Sequence, residues 1–370
     1  MKKRLSALLL FIIVLTLFVT ACSQPQNSAD ITEGITITDC AGREVACPLN
    51  PASVAVLDPL AAQAVIMFGQ GDKMSSTVGG VIRDKLLQDM YPPLADCPNV
   101  KSSGAANAEE LLKLGTDLIL IKSDMYNSEN ERQKIESLNI PYLVIDYNTI
   151  DSQLQSVRIV GTALGCQQQA EDYCAYYLNT IERVSALCAD IPQEELPRLY
   201  HSINPATRTD NAGSVTAEWI AVTRAVNVSV GEQLNYNDGD YYASLEQIML
   251  WDPDLIICNE SGVDQYILSD PKWQGLAAVR TGKVYQMPIG VSRYGHPNSI
   301  ETPLAILWLA DLLYGDKLSE PIDFRAEMKS FYTTFYNYQA DEETIDAILS
   351  GQGIRAASTD NPGEGKKNSN

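Results

Sequence analysis

The sequence predicts an α/β protein of two similar lobes with a ligand cleft between them, and three observations carry that expectation. Residues 107–121 (NAEELLKLGTDLILI) and 244–258 (SLEQIMLWDPDLIIC) repeat one device 137 positions apart: an N-cap, a short amphipathic helix, a break and an apolar run. Helix and strand patterns alternate around both copies, as βα units require. Between the copies lies a stretch of helical periodicity long enough to join two lobes.

The N-terminus comes first. Lys2, Lys3 and Arg4 precede an apolar segment from Leu5 to Val19, then Thr20, Ala21 and Cys22, the pattern of a secretion signal with a lipobox. Residues 1–21 are therefore read as a signal peptide and 22–34 as a tether carrying lipid on Cys22. The mature chain is expected at the outer face of the cell membrane, extracytoplasmic and lipid-anchored. The alternatives are a plain signal peptide with a chance cysteine or a transmembrane anchor, but the run is shorter than the roughly 20 residues a span needs.

Residues 35–51 alternate about an Ala41-Gly42 turn, as in a hairpin. SVAVLD at 53–58 is the first buried strand, and helices and strands alternate as far as IPYLVID at 140–146, giving a first lobe over 35–150. In each repeat an N-capping residue (Asn107, Ser244) is followed at the third helical position by Glu110 or Gln247, placed to reach back to the cap. The apolar runs Leu118 to Ile121 and Leu255 to Cys258 read as strands buried on both faces of a parallel sheet.

Over 151–190, Leu154, Val157, Val160, Leu164, Tyr173, Tyr177, Ile181, Val184 and Cys188 recur at helical spacing, interrupted at Gly161 and Gly165. Read as one long helix, straight or bent, this segment spans on the order of 50 Å. It would be a stiff spacer that opposes large hinge closure. The second lobe, 195–350, opens with PRLYHSI at 197–203. Asn298 and Glu301 are spaced for a capping box before an apolar helix, and 324–349 form a last helical segment. Residues 351–370 are polar and rich in Gly, Ser and Asn, the composition of a disordered tail.

A net charge of −20 argues against nucleic acid and against broad binding to anionic lipid. Besides Cys22 there are seven cysteines, an odd number, with no CxxC or HExxH and only two histidines, His201 and His296. A structural zinc site is not expected. Cys40 and Cys47 flank the hairpin turn and are the candidate disulfide, although the turn does not set them directly opposite each other.

The ordered combination of TDCAGREVACPLNPASVAVLD, NAEELLKLGTDLILI, the long linking helix, YYASLEQIMLWDPDLII and GKVYQMP with ETPLAILWLADLLY covers nearly all of residues 35–340. In this the chain resembles the class III substrate-binding lipoproteins of ABC importers, the family of ferric-siderophore, haem and cobalamin binding proteins. The resemblance implies two Rossmann-like lobes bridged by a rigid helix, a shallow cleft and no intrinsic cofactor or catalytic activity. It further implies a monomer that delivers an iron or cobalt chelate to an ABC permease dimer with its cytoplasmic ATPase. In that family one exposed glutamate per lobe docks onto permease arginines, and the matching positions here are Glu109 and Glu246. Both also sit in a first helical turn, where the helix dipole favours an acid without any permease. Ser53, where a basic residue is usual, and Gly115-Thr116, where Lys-Pro is common, depart from the pattern at structural positions.

Ligands of such lobes bind at the carboxyl ends of strands. The candidates there are Asp58, Met125, Tyr126, His201, Arg208, Trp219, Tyr236, Arg293, Tyr294 and His296. Arg293 suits a carboxylate or catecholate, Tyr294 stacking or iron ligation, and His296 ligation of the metal within a chelate. Met125 and Tyr126 are expected to face the same cleft, and either with His296 would form a haem ligand pair. The excess of 18 Tyr over 6 Phe suits an aromatic-walled cleft. An exported enzyme is the weaker alternative, because no GxSxG, SxxK, GxGxxG after a strand or P-loop occurs. A surface adhesion or scaffold lipoprotein would explain the anchor but not the duplicated lobe.

Overall fold

The computed structural model describes residues 34–351 except 103 and 238. The leader, Cys22 with its tether up to Glu33, and the tail beyond Gly351 lie outside the described residues. The described chain opens with the expected hairpin, β1 (Gly34–Thr38) against β2 (Glu44–Pro48). Its turn is fixed by Asp39, whose buried carboxylate accepts from the Ala41 and Arg43 amides and the Arg43 guanidinium. All seven described cysteines are free. Cys47 lies opposite Ile35 in the hairpin, while Cys40 sits in the turn with its thiol 3.5 Å from Ser156 Oγ, so the candidate disulfide does not form.

The first lobe then lays down β3 (Val54–Val56) and β4 (Met74–Ser76), a small ribbon of β5 (Lys101–Ser102) and β6 (Ala105–Ala106), and β7 (Leu118–Lys122) and β8 (Tyr142–Ile145). Its four main strands are parallel in the order β4-β3-β7-β8. The second lobe repeats the plan with β9 (Arg198–Ser202), β10 (Val226–Asn227), a ribbon of β11 (Asn235–Asn237) and β12 (Asp240–Tyr242), then β13 (Leu255–Cys258) and β14 (Val284–Gln286), in the order β10-β9-β13-β14. Each lobe buries its sheet on both faces, which is why the strands are unbroken apolar runs. Val54 and Val56 point into one cluster, and Ala55 and Leu57 into another on the opposite face. The first of these clusters continues through the linking helices into Thr302–Tyr314 and Phe324–Tyr336, so the lobes share apolar packing.

The expected single linking helix is corrected. Residues 150–187 fold as a hairpin of two helices, Ile150–Leu164 and Gln167–Leu187, reversing at Gly165 with φ 72°. Arg158 pairs with Glu171 at 2.8 Å and Cys174 Sγ reaches Leu154 O at 3.7 Å, contacts only an antiparallel pair makes. A Cβ on Gly161 would lie 2.5 Å from Ala170 Cβ, so glycine there lets the two helices close up. The bridge is therefore the 21-residue second helix, roughly 30 Å long. It packs on Thr302–Tyr314, and Arg224 of the second lobe donates to the Cys188, Ala189 and Ile191 carbonyls beyond its end.

Two capping expectations also change. Ser244 and Gln247 form the full box, but Glu110 turns to Lys113 instead of back to Asn107. Asn298 pairs with His296, and Glu301 turns inward to a loop described below, so no box precedes Thr302–Tyr314. The last helical segment is two helices, Phe324–Tyr336 and Glu342–Leu349, separated at Asn337 in the left-handed region.

Candidate functional site

The carboxyl ends of the strands converge on a cavity of ≈ 420 Å³ between the lobes, a usual size for a small-molecule site. From the first lobe, Lys122 at the end of β7 places its ammonium 4.6 Å from the ring centroid of Tyr147, which follows β8. Tyr147 donates at 2.9 Å to Asp58, and Asp58 also caps helix Pro59–Met67 by accepting from Ala61 N. Burial pushes the Asp58 carboxyl above its ordinary range. Asp58 thus stands one layer behind the wall, fixing the ring that faces the cavity.

The second lobe supplies the opposite wall from the loop after β9 and from the β11-β12 ribbon. Arg208 and Asp240 both line the cavity and pair at 2.6 Å. Asp210 lines it too, braced from behind by His201 Nδ1 at 3.0 Å and by the Asn227 amide. Ser214 caps helix Val215–Val222 and lies 2.9 Å from the Thr216 hydroxyl, both at the cavity. Tyr236, 66% exposed, has its ring centroid 5.1 Å from that of Tyr241 with the planes tilted by 55°.

His296, Pro297 and Asn298 complete the lining, with His296 Nδ1 2.7 Å from Asn298 Oδ1. The loop that presents them is held on every side. Trp219 donates its indole N–H to Gly295 O at 2.9 Å and lies so close that a Cβ on Gly295 would meet the ring at 2.5 Å. The Glu301 carboxylate accepts from Val291 N, Ser292 N, Ser292 Oγ and Tyr332 OH. Burial raises the pKa of Glu301 to about 7. Two glutamines of the first-lobe side clasp the following backbone: Gln63 bonds Asn298 O and Ile300 N, and Gln153 bonds Pro297 O and Ser299 O.

Of the residues named from sequence, Arg208, Tyr236 and His296 line this cavity. Asp58, His201 and Trp219 stand directly behind lining groups. These three are buried and do not line the cavity, and the remaining four lie elsewhere. Tyr294 is wholly buried with its hydroxyl 3.0 Å from Tyr332, because Gly295 at φ 66° turns the chain between it and His296. Arg293 turns away to Asn204 and Glu260. Met125 packs in the first-lobe core, and Tyr126 lies against Tyr142 with the Arg43 and Arg132 guanidinia over its ring. Tyr147, Asp210, Ser214, Thr216 and Tyr241 are lining residues the sequence reading passed over. Tyr147 was within reach of the strand-end rule, because it follows a strand already assigned. Glu109 and Glu246 are not among the lining residues and are exposed in the first turns of Ala108–Lys113 and Leu245–Trp251.

Among the described residues no group of three or more His, Cys, Asp or Glu side chains is arranged to hold a metal ion, and no helix is long and apolar enough to cross a membrane. The sequence matches the family described as periplasmic binding protein over residues 54–289. The chain belongs to the periplasmic binding protein family. Its members bind solutes and are not enzymes, and two parallel sheets, each in its own lobe, are the architecture of the class III solute-binding proteins of ABC transporters. A periplasmic solute binding protein from Veillonella parvula DSM 2008 superposes with a TM-score of 0.72 at 24% identity, over 86% of this chain and 97% of its own. Haemophilus influenzae MolA, solved with molybdate, gives 0.73 at 20% identity over 83% and 99%. Helicobacter pylori CeuE with Ni(II) bound gives 0.69 at 18% identity over 85% and 99%. At these identities the likeness concerns the fold. No curated protein matches this periplasmic binding protein by sequence.

Proposed function

We propose that this periplasmic binding protein captures an iron or cobalt chelate, such as a ferric siderophore, haem or corrinoid, and hands it to an ABC permease through Glu109 and Glu246. The cavity lining carries the reading. Lys122 supplies positive charge beside an Arg208 shared with Asp240, and Tyr147, Tyr236 and Tyr241 supply aromatic rings, while the described residues include no ready-made metal cluster. A metal suited to this wall arrives inside an anionic organic ligand, whose oxygens meet the cations and whose apolar parts lie on the tyrosines. His296, whose imidazole lines the cavity, is the residue we assign as a ligand to the metal of such a chelate. Proteins of the same fold include a haem-binding protein and a petrobactin-binding protein.

A bare oxyanion is the second reading. It is favoured by Ser214 and Thr216, whose hydroxyls stand at the start of Val215–Val222, the positive end of that helix's dipole. Thermal unfolding with haemin, cyanocobalamin, ferric catecholate and hydroxamate siderophores, and molybdate separates the two. A chelate at about 100 times its Kd should stabilise the protein by about 2.7 kcal/mol. Lys122→Gln and His296→Ala should each weaken its binding by roughly 1–3 kcal/mol. Stabilisation by molybdate alone would favour the oxyanion, and no response to any of these solutes would remove the chelate reading.

A further inference from the structure

The two copies of the repeated helix share more than their acids. Along Ala108–Lys113, Leu111 is buried while Glu109, Leu112 and Lys113 are exposed. Along Leu245–Trp251, Ile248 is buried while Glu246, Met249 and Leu250 are exposed. At equivalent positions the two helices are anchored by an aliphatic residue, Leu111 or Ile248, and expose an acid followed by an apolar residue, Glu109 with Leu112 and Glu246 with Met249; the next exposed position differs, Lys113 in one and Leu250 in the other. Residues three and four apart stand side by side on a helix. Each lobe therefore sets an apolar side chain next to its exposed acid: Leu112, 56% exposed, beside Glu109, and Met249 and Leu250, 37% and 85% exposed, beside Glu246.

A single exposed leucine needs no explanation. Recurrence at the equivalent position of both lobes, next to the equivalent acid, is a different matter: the tip of Met249 packs on Gly275 of its own lobe, whereas Leu112 and Leu250 stand largely in solvent. Glu110 is engaged by Lys113 and Gln247 by the Ser244 cap, so the residues between acid and apolar group already serve the helix itself. An acid on an open surface binds a cation weakly and is screened by salt. An apolar neighbour that excludes water when a partner arrives lowers the local dielectric and strengthens that ion pair.

We propose that Leu112, Met249 and Leu250 form, with Glu109 and Glu246, a twice-repeated acid-and-apolar ridge. It seats on a two-fold symmetric membrane partner presenting a basic side chain within an apolar rim at each of two sites. That partner is the permease dimer, and the inference rests on the reading that the two glutamates dock there. The two-fold repetition of the ridge matches a two-fold partner, and the net charge of −20 favours a cationic one.

The test measures binding of the full chain to its ABC permease complex in lipid nanodiscs, at about 0.05 M and about 0.5 M salt. The variant Leu112→Ser with Met249→Ser and Leu250→Ser should weaken binding at least roughly tenfold at both salt concentrations, since apolar contact is not screened. Glu109→Gln with Glu246→Gln should weaken it mainly at low salt. Leu112→Met with Met249→Leu should bind as wild type, which separates a lost contact from a damaged fold. If the serine variant binds like wild type while the glutamine variant does not, the apolar ridge is wrong and docking through the acids stands. If the glutamine variant also binds like wild type, docking at these helices fails and the inference falls with it.

Discussion

The carboxyl of Glu301 lies wholly inside the second lobe, among the Val291 and Ser292 amides and the Tyr332 hydroxyl. Its pKa rises from an ordinary 4.5 to about 7 because burial outweighs the hydrogen bonds that favour the charged form. The folded protein therefore holds this proton more tightly than the unfolded chain. The resulting stability is fully present below pH 4.5 and is lost as pH rises through about 7. Its size is roughly 3 kcal/mol from a shift of this order. Urea unfolding at about pH 5 and about pH 8 should show wild type losing up to that much relative to Glu301→Gln, which cannot ionise. Parallel behaviour of the two proteins would show that the carboxyl is not the titrating group. Neighbouring Tyr294 illustrates what a sequence hides at this scale. SRYGH concentrates an aromatic, a cation and a histidine, yet the left-handed turn at Gly295 sends His296 to the cavity and leaves Tyr294 bonded to Tyr332, 38 residues away in sequence.

At the scale of elements, periodicity identified helix over 150–187 but not its direction. Apolar residues recur every three or four positions whether the chain continues or doubles back, and the reversal depends on Gly165 and on the closeness of Gly161 to Ala170. Both glycines were visible as interruptions, but only packing turns an interruption into a hairpin. The same limit hid the clasp between lobes. Helix Pro59–Met67 contributes Gln63 and helix Ile150–Leu164 contributes Gln153, and together they make four hydrogen bonds to the backbone of residues 297–300. Buried glutamines inside apolar helices carry no mark of their distant partners. Gln63→Ala with Gln153→Ala strands two amides or carbonyls per site, and each substitution should cost roughly 1–3 kcal/mol in chemical denaturation. The wild-type radius of gyration by small-angle scattering should change little when solute binds, and the double variant should be more variable. A large compaction of wild type on binding would show that the clasp opens.

For the molecule as a whole, placement at the membrane rests on Cys22, which lies outside the described residues. If its thiol carries the lipid, Cys22→Ala should move the protein from the membrane fraction to the medium or periplasm, and continued membrane association would exclude the anchor. The sequence alone determined the two-lobe α/β plan, because duplicated caps, breaks and apolar runs are local patterns that burial on both faces of a parallel sheet imposes directly. It also marked His296, Arg208 and Tyr236, which the strand-end rule reaches without knowing the packing. Tertiary structure decided the rest: that the linker is a helical hairpin, that Tyr294 and Met125 are interior, that Tyr147, Asp210 and Ser214 face the cavity, and that the repeated helices turn Leu112 and Met249 outward. The physical reason is common to all of these. A side chain's type is written in the chain, but the direction it points depends on left-handed turns, close helix approaches and hydrogen bonds spanning a hundred residues or more, which exist only once both lobes are assembled.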